Sequence, residues 1–182
     1  MPDHHRPAAA GAPDPGPAAG GRGRCLCGAV VYALTERPIR TTICHCRFCQ
    51  RATGGPYLIL PIAPKTALRL RQGTTRTHTH VSEGSGKAVH IQSCERCATN
   101  LWMTWERWPD MVGLFGGTLD APGAVDLDPM TTRQIFVASA RPGTVLPAGI
   151  PAYWDHATAP DGTPATPFVL DLPTAVEDLA RG

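Results

Sequence analysis

The sequence has very little lysine: Lys65 and Lys87 are its only two, and arginines scattered along the chain carry the rest of the positive charge. With 17 Lys and Arg against 15 Asp and Glu, the formal net charge is only +2. No basic stripe of the kind that grips nucleic acid is present, so a nucleic-acid partner is not expected. Long apolar runs are also missing. The longest, such as Tyr57 to Ile62, fall far short of the roughly 20 residues needed to span a bilayer, so no membrane partner is expected either. The start, Met1-Pro2-Asp3-His4-His5 followed by alanine, glycine and proline, lacks the basic opening and apolar stretch of a secretory signal. That points to a cytoplasmic protein. No internal repeat suggests a solenoid or propeller.

A chain of 182 residues fits one ordinary domain with appended segments. Residues 1–22 are almost entirely alanine, glycine, proline and charge, which bury too little apolar surface to offset the entropy of ordering them. They read as a disordered arm. From Arg24 to Trp154, short runs rich in Val, Ile, Leu, Tyr, Trp and Thr alternate with Gly, Pro and Asp clusters, the signature of an all-β domain. Strands are expected over Ala29 to Leu34, Tyr57 to Ile62, Ala67 to Leu70 and Arg76 to Val81. Four more are expected over Val89 to Gln92, Leu101 to Trp105, Met111 to Phe115 and Gln134 to Ala138. Thr174 with Glu177 three residues later makes a capping-box pattern, predicting a short C-terminal helix through Leu179 that Gly182 could end. The domain is expected over 23–156, with a C-terminal extension over 157–182.

The seven cysteines carry the most information, because none is isolated. They fall at Cys25 and Cys27, at Cys44, Cys46 and Cys49, and at Cys94 and Cys97. Buried cysteines used as small hydrophobes follow strand or helix periodicity instead. Disulfides are disfavoured by the odd count, by the poor bridging geometry of CxC pairs and by a reducing compartment. A thioredoxin-like role for Cys94 and Cys97 fails because that motif belongs at a helix start, whereas here a strand follows. The usual spacings of iron–sulfur ligands are not met. Zinc fits better, since thiolates two or three positions apart can reach one tetrahedral ion at about 2.3 Å. Joining the outer pairs, Cys25 and Cys27 with Cys94 and Cys97, closes a four-thiolate structural site. Cys44, Cys46 and Cys49 are left holding a second zinc with one open position, the arrangement of catalytic sites.

Together, the Cys25-Leu26-Cys27-Gly28 opening, the block from Cys44 through Arg51 to Gly54, the Cys94 to Cys97 pair and the Gly117-Thr118-Leu119-Asp120 turn resemble the glutathione-dependent formaldehyde-activating enzyme and centromere protein V-like family. The resemblance runs from about Gly23 to His156. It implies an all-β, Mss4-like β-tent stapled by two zinc ions, with the ligands divided as above. It also implies carbon–sulfur lyase chemistry on a small-molecule thiol or thiol adduct of the S-hydroxymethylglutathione type. Two positions depart from the family pattern: Ala98 stands where a glycine is usual, and Gln134 where many members carry histidine.

An open three-thiolate zinc selects thiols, because zinc favours the deprotonated form. Catalytic candidates are therefore Cys44, Cys46 and Cys49, with His45 for proton transfer or support and Arg51 for pairing with a substrate carboxylate. The alternatives for these two are a His45 side chain turned away from its cysteine neighbours and a structural, exposed Arg51. Trp102, Trp105 and Trp108 read as core ahead of a substrate wall, and His78 and His80 as a solvated strand face. The competing function is a zinc-stabilised interaction module without catalysis.

Overall fold

The computed structural model describes residues 20–125, 127–159 and 161–179. Most of the expected arm over 1–22, and Gly182, lie outside the described residues. The last residues of that arm join the domain: the Gly20 N–H donates to the Leu34 carbonyl at 3.1 Å, and Arg22 opens the first strand.

In chain order the elements begin with β1 (Arg22–Arg24), β2 (Val31–Leu34), β3 (Arg40–Cys44), helix α1 (Arg47–Thr53), β4 (Leu58–Pro64), β5 (Leu68–Gln72) and β6 (Thr75–Val81). They continue with β7 (Ala88–Cys94), β8 (Asn100–Trp105), β9 (Met111–Leu114), β10 (Thr132–Ile135), β11 (Val145–Leu146) and β12 (Thr174–Ala175). The architecture is all-β with one short helix, as expected from the short β-rich runs. Each of the eight expected strands has a counterpart within a few residues of its predicted bounds. The pattern did not announce β1, β3, α1 and the two-stranded β11–β12 sheet.

A seven-stranded sheet in the order β10-β3-β4-β9-β8-β7-β6 dominates, flanked by a three-stranded sheet β1-β2-β5. All its pairings are antiparallel except β10 on β3. Side chains alternate across a strand, so each face of this sheet collects its own core. On one face Ala63, Trp102, Val112 and Leu114 pack with Val30, Tyr32 and Leu34, joining the two sheets. Burying each leucine- or valine-sized side chain there contributes about 1.5–3 kcal/mol. Tyr32 meets Trp102 edge-on at 5.7 Å, and its hydroxyl sits 2.7 Å from Thr118 Oγ1. Arg24 donates two hydrogen bonds to the Asp120 carboxylate at 2.7 and 2.8 Å. The Gly117 to Asp120 turn thereby fastens β1 to the segment that follows β9. On the other face Leu60, Ile62, Val89, Ile91, Met103 and Ile135 form the floor of a large cavity.

The expected tail helix is a single 3₁₀ turn, Val176–Asp178. Thr174 instead pairs with Leu146 in the β11–β12 sheet, and the Glu177 carboxylate accepts the Gly143 N–H at 2.9 Å rather than capping its own turn. Tertiary partners outcompete the local capping box. No helix among the described residues is long and apolar enough to cross a membrane.

Candidate metal and substrate site

Register dictates what reaches the second face of the large sheet. Arg40, Thr42 and Cys44 alternate on β3, and Arg133 and Ile135 stand beside Thr42 and Cys44 on β10. On the opposite edge, His78 and His80 of β6 pair with Ile91 and Val89 of β7. All of these residues line one cavity of about 1410 Å³. Gly113 lets the wall close up: a Cβ there would lie 2.5 Å from the Trp105 ring and 2.9 Å from Leu60.

At one end of this cavity lie Cys44, Cys46 and Cys49, with sulfurs all within 4.8 Å of one another. Cys44 ends β3. Cys46 is the N-cap of α1, its sulfur accepting the Cys49 N–H at 3.3 Å, and Cys49 sits in the first turn. Gly54, in the left-handed region at φ 69°, stops the helix with its N–H on the Gln50 carbonyl. Gln50 clamps the loop through its amide, which donates to the His45 carbonyl at 2.6 Å and the Ser139 carbonyl at 2.8 Å. Hydrogen bonds from Cys44 and Cys49 hold the Cys46 thiol down to about 3, against the opposing effect of burial. Cys44 is pushed up first by its bond to Cys46, and Cys49 first by its bond to Cys44. The three neighbouring thiols thus resist losing all their protons together. A thiophilic dication would replace the remaining protons, so this donor set fits a metal ion such as zinc.

The second group, Cys25, Cys27, Cys94 and Cys97, also gathers its sulfurs within 4.8 Å. Cys25 and Cys27 lie in the turn after β1, Cys94 ends β7, and Cys97 lies in the turn to β8. The Cys25–Cys27 and Cys27–Cys94 sulfurs are 3.5 and 3.9 Å apart. Four thiolates around one zinc at about 2.3 Å would stand about 3.8 Å from each other, so the spacing fits a tetrahedral ion. The Val30 N–H donates to the Cys25 sulfur at 3.2 Å, and Thr99 Oγ1 lies 3.1 Å from the Cys97 sulfur. Burial opposes the shift at Cys97, yet the Thr99 hydrogen bonds bring it down to about 6. Ala98 occupies the left-handed region at φ 59°, a conformation that suits glycine. None of these four cysteines lines the cavity.

The remaining candidates separate. His45 does not line the cavity: it is 1% exposed, behind the cysteine loop, with its Nε2 3.3 Å from Gln134 Oε1 and its ring edge-on to Tyr57. Gln134, the position that departs from the resembled pattern, is thus His45's partner. Arg51 is exposed on the cavity lining. The three tryptophans divide, Trp102 in the core and Trp105 and Trp108 on the cavity wall. His78 and His80 also line the cavity, and His80 stacks on Phe48 at 4.7 Å, beside the cysteine loop. Sequence reading did not find Arg40, Arg107, Arg133 and His156, which share this cavity. The alternation of Arg40, Thr42 and Cys44 was the available signal.

Comparison with known proteins agrees with the motif reading. The family described as "Glutathione-dependent formaldehyde-activating enzyme" matches residues 21–139, well over half of the chain. A Halomonas elongata protein named "Putative glutathione-dependent formaldehyde-activating enzyme" is 28% identical over 102 residues, 54% of this chain and 65% of its own length. The match thus spans somewhat less than two thirds of that relative. A crystal structure of a Rhodobacter sphaeroides protein aligns with a TM-score of 0.44 and 21% identity, over 55% of this chain and 88% of its own. The chain belongs to the glutathione-dependent formaldehyde-activating enzyme family.

Proposed function

We propose that the chain is a zinc-dependent carbon–sulfur lyase that reversibly splits the adduct of a small-molecule thiol and an aldehyde, of the S-hydroxymethylglutathione type. One observation carries the reading: of the two thiol clusters, only Cys44, Cys46 and Cys49 open onto the large cavity. The four-thiol cluster sits apart from it and takes the structural role.

In the splitting direction the carbon–sulfur bond breaks with its electron pair left on sulfur, the hydroxyl proton departs, and the carbonyl double bond forms. No oxidant or reductant is needed. Zinc held by the three thiolates would stabilise the sulfur in its deprotonated form. Chain residues supply the rest. Gln50 fixes the loop that presents the sulfurs, and Phe48, Leu60, Met103 and Trp105 give the adduct an apolar wall. His80, stacked on Phe48, is the imidazole we assign to carry the hydroxyl proton. His45, buried behind the loop, acts as a positioning residue through Gln134.

The test is formaldehyde release from S-hydroxymethylglutathione by the zinc-loaded chain, measured against the uncatalysed rate. Turnover that falls at least about 100-fold in Cys49→Ser and about 10- to 100-fold in His80→Gln is expected. Absence of turnover and of thiol binding in the zinc-loaded wild type would instead assign the chain to the interaction modules.

A further inference from the structure

The cavity carries a second polar centre away from the cysteines. Arg40 and Arg133 lie on the same sheet face as Cys44, and the Nε of each is buried without a hydrogen-bond partner. Glu83 and Asp155 are the acids on the cavity lining, and among the described residues neither forms an ion pair with these arginines. Arg107 lines the same cavity, donating one N–H to the Ala159 carbonyl at 2.7 Å with its guanidinium 4.8 Å over the Trp108 ring, and Trp108 stacks on His156 at 5.2 Å. His156, Arg40, Arg107 and Arg133 all line this cavity, and burial first, with the arginine charges adding to it against the Thr158 hydrogen bond, presses His156 toward its neutral form. Burial and mutual repulsion push Arg40 itself downward. Guanidiniums withdrawn from water without a counter-charge are costly, and their planar donors match carboxylate and phosphate oxygens.

The strand gives the spacing. Thr42 and Arg40 precede Cys44 on one face by two and four residues, and a strand rises about 3.3 Å per residue. The arginines therefore start about 7–13 Å from the cysteine end. Leu60, Ile62 and Ile135 make the floor between the two ends apolar.

We propose that Arg40, Arg133 and Arg107 form an oxyanion subsite that holds a carboxylate or phosphate carried by the thiol substrate about 7–13 Å from its sulfur. This rests on the reading of Cys44, Cys46 and Cys49 as the thiol site. The arginines select which thiol is accepted and position it; they do not take part in bond breaking.

Calorimetric titration of the zinc-loaded full chain tests it, using 8-mercaptooctanoate, its neutral amide, a mercaptoalkyl phosphate of the same length, and thiol-free octanoate. The anionic thiols, or one of the two, are expected to bind at least about 10-fold tighter than the amide. That preference should fall to about twofold or less in Arg133→Gln and in Arg40→Gln, and Arg133→Lys, which keeps the charge, should retain part of it. Equal affinity for anionic and neutral thiols in the wild type, or a preference that survives both glutamine variants, overturns the subsite while leaving the thiol reading standing. If octanoate binds in an Arg133-dependent manner and no thiol binds, the subsite stands and the thiol reading fails. Thermal unfolding checks each variant. Should Arg133→Gln fail to fold, Arg40→Gln and Arg133→Lys decide the outcome.

Discussion

The two cysteine clusters use the same ligand atom yet differ in what surrounds them. Cys25, Cys27, Cys94 and Cys97 offer four sulfurs at the junction of β1, β7 and β8, packed beside the core that joins the two sheets. Cys44, Cys46 and Cys49 offer three sulfurs, framed by a single helical turn and facing a cavity. A saturated tetrahedral set leaves a metal nothing to do except hold the chain together, whereas an unsaturated set beside open space leaves it a substrate position. In the proposed division of labour, location and ligand count, more than ligand chemistry, separate staple from reaction centre.

The sharpest way to break this comparison is to remove one sulfur from each cluster. Cys97→Ser is expected to lose a large part of the roughly 10–16 kcal/mol that a structural thiolate zinc site can contribute, and so to fail to fold or to melt far below the wild type. Cys49→Ser should keep its melting temperature within a few degrees and lose its turnover. Thermal unfolding with zinc analysis checks both, and equal unfolding in the two variants would erase the division.

A smaller effect is expected at Gln50, whose amide is the shared donor for the His45 and Ser139 carbonyls. Gln50→Ala leaves buried acceptors unpaired at a cost of about 1–3 kcal/mol. It should also lower turnover at the three-thiol cluster without lowering the zinc content of the four-thiol one. Denaturant unfolding read beside the rate tests this. The smallest effect is expected at Ala98, held at φ 59° in the four-thiol turn with its N–H on the Cys94 carbonyl at 2.9 Å. Ala98→Gly should raise stability by about 1 kcal/mol through relief of left-handed strain, leaving turnover unchanged. A loss of stability would mean that the chain entropy added by glycine outweighs that relief.

The cysteine grouping could be read in the sequence because ligand spacing is local: a tight turn brings residues two or three apart to one point whatever the rest of the fold does. Strands such as β6, β7 and β8 were readable for the same reason, being short runs rich in β-branched or aromatic residues. Helix α1 was not, since its seven residues are too few to persist alone and its stability comes from the Cys46 cap and from Gln50 reaching Ser139, 89 positions away. Thr174 and Glu177 misled for the mirror-image reason: the local pattern favours a helix, while distant Leu146 and Gly143 claim the same groups. Trp102 and Trp105 stand three apart on one strand and so face opposite sides, which reconciles core and wall. Arg40 could have been read from its alternation with Cys44, but Arg133 lay beyond reach because its place depends on the parallel pairing of β10 with β3, a long-range register no local pattern encodes.

Counting zinc per intact chain by native mass spectrometry, before and after a mild chelator and again with added glutathione, tests the central claim most directly. The account predicts two ions per chain, one lost readily to the chelator and shielded by the thiol, the other retained until the protein unfolds. A single inert ion, or two lost together and indifferent to thiol, would contradict it.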